Sequence, residues 1–210
     1  MKIIFAALLI LTPTAVFAQK WDFGADGGVG LLNNVAVTSP SGSATAGFAP
    51  GFTAGAFVGE NLYNHFSGEI RYEYMQSDLR LSSGGQSAQF SGASHALHYD
   101  IVYHTNRGES PVQFFGAVGG GIKAFVGTGT EAAYQPLSQY GYFTKTQTIK
   151  MMLTASVGFT CKLSSKLSFR AEVRDFASGF PTSVLTPPQG VKYGNLLNEV
   201  VPMVSLVYQK

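Results

Sequence analysis

The stretch FSGEIRYEYM, residues 66–75, alternates without a break: Phe66, Gly68, Ile70, Tyr72 and Tyr74 against Ser67, Glu69, Arg71 and Glu73. Period-two alternation specifies a β-strand with two chemically opposite faces. At about 3.3 Å per residue this stretch reaches roughly 30 Å, longer than a typical soluble strand and long enough to cross a bilayer when tilted.

Seven further stretches follow the pattern. Residues 21–31 set Trp21, Phe23, Ala25, Val29 and Leu31 against Asp22 and Asp26, and residues 52–59 are rich in small side chains with no clear facing. Residues 95–104 set Leu97, Tyr99, Ile101 and Tyr103 against His98, Asp100 and His104; residues 112–126 are interrupted by Gly119, Gly120 and Gly121. Residues 149–163, 167–175 and 200–209 complete the set, with Lys150 and Lys162 opposite Leu153 and Val157, and Arg170, Glu172 and Arg174 opposite Phe169 and Val173.

The connections alternate in length. Residues 33–50, 77–94, 127–148 and 176–199 are long and rich in Gly, Ser, Thr, Asn and Pro, whereas 60–65, 105–111 and 164–166 are short. In a meander, alternate connections share one end of the sheet, so four long loops lie at one end and three tight turns with both termini at the other.

A soluble sandwich, or a lipocalin-like barrel with its apolar face inward, also has one apolar and one polar face. Three features favour a membrane. The charged residues placed in strands all share the polar face, and the remaining ones are assigned to turns, loops and termini. Tyr72, Tyr74, Tyr99, Tyr103 and Tyr208 lie on the apolar face, where a bilayer offers rings near a strand end a wet interface. An open sheet of eight long strands would expose edges that closure removes. Trp21, Tyr72, Tyr74, Tyr103 and Tyr208 are accordingly the expected interfacial aromatics.

Only 12% of the chain is charged, and the net charge of +2 is scattered, which argues against a nucleic-acid partner. Residues 1–18 read as an export signal: Lys2, an apolar run, Pro13 and a small-residue site ending at Ala18, with the barrel domain spanning 19–210. The one cysteine, Cys161, leaves no internal disulfide.

Strands such as FSGEIRYEYM and LSFRAEVRD, the export signal and the alternating loop lengths resemble the small eight-stranded outer-membrane β-barrel family, of the OmpX, OmpW and OmpA-barrel kind. The resemblance implies an all-β, eight-stranded antiparallel up-and-down transmembrane β-barrel in the outer membrane. It also implies outer-membrane lipid and the outer-membrane assembly machinery as partners. Family members usually end on an aromatic residue that this machinery reads; here the chain ends Tyr208-Gln209-Lys210.

Eight strands leave a bore just wide enough for side chains. The inner face is expected to hold six acids, Asp22, Asp26, Glu69, Glu73, Asp100 and Glu172, and six bases, Arg71, Lys123, Lys150, Lys162, Arg170 and Arg174. Balanced charges predict a plugged lumen, closed by pairing of Arg170, Glu172 and Arg174 with the lysines of the neighbouring strand. On that count, Glu172→Gln leaves surplus positive charge and anion-favouring openings.

The expected role is structural or surface interaction through the long loops, whose sequences name no ligand, with the protein a monomer. A narrow passive channel is the alternative, and a lipid-modifying enzyme a third reading. His95, His98, Asp100 and His104 are the only cluster with catalytic residue types; no serine accompanies them at a recognisable spacing, and lumenal hydrogen bonding is the plainer role. His98 and Asp100 offer two ligands, too few for a metal, and no cofactor is expected. The glycine run lacks the helix of a nucleotide loop and is expected to give curvature or space beside a bulky lumenal neighbour.

Overall fold

The computed structural model describes residues 20–40, 42–105 and 110–210; the expected export signal and the turn containing Asn106 lie outside them. Among the described residues fifteen strands occur in chain order: β1 Trp21–Leu32, β2 Val35–Ser39, β3 Gly42–Phe48, β4 Gly51–Tyr63, β5 Phe66–Gln76, β6 Leu79–Ser83, β7 Gln86–Phe90 and β8 Gly92–His104. They continue with β9 Val112–Gly127, β10 Tyr142–Phe143, β11 Gln147–Lys162, β12 Leu167–Gly179, β13 Leu185–Thr186, β14 Lys192–Tyr193 and β15 Leu196–Gln209.

Eight of these close into an antiparallel barrel in the order β1-β15-β12-β11-β9-β8-β5-β4, each beside its chain neighbour, with β1 sealed against β15. The wall is inverted relative to a soluble core. Side chains of one parity point out and are apolar and exposed, among them Ile70 at 59%, Val118 at 63%, Leu153 at 69% and Val204 at 51%. Those of the other parity point in and are buried, with Arg71, Arg174, Lys123 and Glu73 all at 0%. Water is a poor solvent for such an outer surface and lipid a good one.

Several strands outrun their sequence boundaries. β4 continues through Glu60 to Tyr63, β12 to Gly179, and β15 begins at Leu196 rather than Val200. The charged residues in strands therefore do not all face inward. Glu60 lies on the outer parity of β4 opposite Trp21, and Asp175, half-buried on the outer parity of β12, lies near Asn198 Nδ2 at 3.4 Å. Both escaped notice because they fall at strand ends, where alternation merges with loop composition.

The larger correction concerns the long connections. They contain seven of the strands: a five-stranded sheet in the order β14-β2-β3-β6-β7 and the pair β10-β13. Val35, Val37, Phe48, Leu79, Leu81, Phe90, Phe143, Phe180 and Leu185 form a buried core among them, continuous with Phe125 of the barrel. Short alternations such as Val35/Val37 and Leu79/Leu81 are the local cause, diluted in sequence by the Ser, Thr and Gly between them. One end of the barrel is thus capped by a second small core.

Candidate functional site

The lumen is layered, and the order can be read up a single strand. From the short-turn end, the inward residues of β5 run Ser67, Glu69, Arg71, Glu73 and Met75, passing from polar to charged to apolar. β12 repeats it with Ser168, Arg170, Glu172, Arg174 and Phe176.

The first layer is a polar cavity of about 150 Å³ whose walls include Lys20, Asp22, Asn61, His104, Gln113 and Lys162. Here Ser67 Oγ lies 2.8 Å from His104 Nε2, a contact between strands that spacing could not reveal. Ser67 is 3% exposed and on the lumen side of the wall, separated by that wall from any acyl chain outside.

The second layer is a cage of charge. Arg71 reaches Asp26 Oδ2 at 2.8 Å, Glu69 Oε2 at 3.0 Å, Glu172 Oε1 at 3.0 Å and Glu73 Oε1 at 3.3 Å. Arg170 donates to Glu69 at 2.7 Å, and Arg174 to Glu172 at 3.1 Å and to Asp100. Asp100 also accepts from Thr154 at 2.6 Å and faces His98 Nδ1 at 3.0 Å. Aromatic faces pack the cations: Arg170 Cζ is 3.9 Å from the Phe115 centroid, and Arg71 Cζ is 4.3 Å from that of Phe57.

Arg71–Glu172, Arg170–Glu69 and Arg174–Asp100 cross the bore, in contrast to the expected pairing of β12 with the lysines of β11. Opposite Arg174, Glu172 and Arg170, β11 places Ser156, Gly158 and Thr160. Small neighbours leave the long β12 side chains free to reach β5 and β8. β11 is 16 residues long, so its lysines lie towards its ends: Lys150 is half-exposed and Lys162 exposed. Asp22 borders the mouth cavity.

Sequence reading missed Glu199, assigned to a loop but 1% exposed and paired with Lys123. Its inward parity with Val201 and Met203 was the available signal. It also missed the inward Phe57, Phe115, Phe125 and Phe176: residues 52–59 have no clear facing in sequence, residues 112–126 have none assigned, and Phe176 falls in an expected connection. The glycine run does make space: a Cβ on Gly119 would lie 2.1 Å from Asp100 Oδ1, and one on Gly121 2.6 Å from His98 Cα.

Above the cage, Met75, Ala96, Met152, Phe176, Val201 and Met203 form a buried apolar layer, and the cap core follows. On the outer wall Trp21, Tyr103 and Tyr208 stand near the short-turn end and Tyr74 near the loop end, whereas Tyr72 stands mid-strand with its phenol 2.7 Å from His95 Nδ1. Among the described residues no group of three or more His, Cys, Asp or Glu is placed to hold a metal ion.

A closed eight-stranded barrel with a charged interior and an apolar outer belt defines a β-barrel of the small outer-membrane kind, and the outer membrane is where that fold resides. Among solved structures, the outer-membrane protein OprG from Pseudomonas aeruginosa superposes with a TM-score of 0.56 at 14% identity, covering 90% of this chain and 95% of that one. Neisserial surface protein A matches with a TM-score of 0.48 at 13% identity, over 88% of this chain and 95% of the other. At such identities the likeness is one of fold. No protein-family model and no curated protein sequence matches the chain.

Proposed function

We propose that this protein is a plugged outer-membrane barrel that acts as a structural or surface-interaction element, presenting its cap outside the cell rather than passing solute through its bore. The observation that supports this reading is the continuous filling of the lumen: charge cage, methionine and phenylalanine layer, then cap core. A passing solute would have to break buried ion pairs and then an apolar plug, and either step alone is costly.

The cap suits recognition because it is a packed sheet held on a rigid barrel, so a partner would meet an ordered surface. No catalytic step is proposed, since Ser67 and His104 are enclosed on the lumen side of the wall. Planar-bilayer recording of the refolded protein tests the plug at neutral pH. The wild type is expected to be silent; steady, large conductance would reject the plug in favour of a narrow channel.

A further inference from the structure

The buried cage does not balance. The carboxyl groups of Asp26, Glu69, Glu73, Asp100, Glu172 and Glu199 are shut from solvent or nearly so, and the buried bases are Arg71, Lys123, Arg170 and Arg174. Six acids against four bases leave two uncompensated negative charges in a compartment that cannot solvate them. Lys150, Lys162 and Asp22 lie towards the ends of the barrel, so the cage loses two bases, while Glu199 takes the place of Asp22 among the acids.

Geometry shows where one compensating charge belongs. Gly55 of β4 pairs with Asp26 of β1 on one side and Glu73 of β5 on the other. A Cβ at Gly55 would lie 1.9 Å from Glu73 Oε2, so the missing side chain leaves room for the Glu73 carboxyl over β4, between Asp26 and its own strand. One oxygen of each is held by Arg71, at 2.8 Å for Asp26 Oδ2 and 3.3 Å for Glu73 Oε1. The other two, Asp26 Oδ1 and Glu73 Oε2, are buried without a donor among the described residues. Two carboxylates held on one guanidinium repel, whereas a proton shared between them relieves both.

We propose that Asp26 and Glu73 share one proton at neutral pH, and that this proton latches the lumen shut. On β8, His98 Nδ1 faces Asp100 Oδ1 at 3.0 Å. The other charged groups around the latch are Arg71 and Glu69 on β5, Lys123 on β9, Arg170, Glu172 and Arg174 on β12, and Glu199 on β15; β4 and β11 line it with Thr53, Phe57, Thr154 and Ser156. The folded state therefore binds a proton that the unfolded chain releases. Stability is present while the proton is bound and falls as rising pH removes it. The opened cage is acid-rich and favours cations.

The inference rests on the plugged reading, yet its test is independent of conductance. Infrared spectroscopy of the detergent-folded protein is expected to show a protonated carboxyl C=O band at neutral pH that is absent from Glu73→Gln, whose amide can donate permanently to Asp26. Raising the pH should remove the band and the heat stability of the wild type together, while the Glu73→Gln profile stays flat. Should that variant not fold, Asp26→Asn is expected to lose the same band. A wild type without the band, a band that survives both substitutions, or a Glu73→Gln profile identical to wild type would overturn the latch. Stability that follows sodium or potassium concentration, with no band, would assign the charge to a bound cation and overturn it equally.

Discussion

Leu153, 69% exposed on the outer wall of β11, tests the lipid assignment at a single position. An arginine on the lipid-facing midplane of a barrel costs about 2 to 4 kcal/mol, so Leu153→Arg should fail to accumulate as folded protein in outer-membrane fractions. Wild-type yield and heat-modifiability on a gel would contradict that assignment. Inside, Gly119→Ala would place a methyl 2.2 Å from the Tyr99 carbonyl as well as against Asp100. Overpacking of this kind costs about 1 to 3 kcal/mol, and the same gel should show a lower unfolding temperature. Glu172 accepts from or faces three arginines. Glu172→Gln should therefore weaken the barrel by about 3 to 5 kcal/mol, the range for breaking a buried pair. With Asp26 and Glu73 sharing one proton, the five remaining carboxyl groups carry four negative charges against four buried bases, so any openings it permits should show little charge preference. The balanced count from sequence predicts anion preference instead, and selectivity in a salt gradient decides between them.

At the scale of elements, the closing seam between β1 and β15 has a gap. Partners run from Gly28↔Met203 to Leu31↔Val200 and omit the positions between, where Pro202 has no N–H to donate. Pro202→Val should restore a donor to the seam, slow hydrogen exchange in β1 and raise stability by about 1 kcal/mol; unchanged exchange would mean that the missing donor is not the cause of the gap. In the cap, Tyr193 of β14 donates to the Tyr140 carbonyl at 2.8 Å, and burial pushes its phenol above the ordinary tyrosine range, so it keeps its proton at any physiological pH. Tyr193→Phe should cost about 1 kcal/mol, read as faster protease cleavage in the cap with the barrel intact.

For the whole molecule, the order of strands places Gly84, between β6 and β7, and Gly190, just before β14, together at the capped end, opposite Trp21 and Gln209. Epitope tags at Gly84 and Gly190 should bind antibody on intact cells, and one at Asn106 should not. Labelling at Asn106 but not at Gly84 would invert the orientation.

The barrel was legible because a strand with one wet and one lipid face writes its period directly into the residues, as Glu69, Arg71 and Glu73 alternate with Ile70, Tyr72 and Tyr74. The number of barrel strands, the facing of their charged residues at mid-strand and the alternation of long and short connections follow from that local signal. Partners across the bore do not. Nothing in the chain joins Arg71 to Glu172, 101 residues later, or Arg174 to Asp100; only closure brings them together. The same holds for the cap, where alternations two or three residues long become a core only once four connections meet above one barrel end. It holds equally for Gly55, whose missing side chain acquires meaning when β1 and β5 place Asp26 and Glu73 on either side of it. Periodicity is a property of neighbours in sequence, whereas charge compensation is a property of neighbours in space, and the tertiary structure alone decides the second.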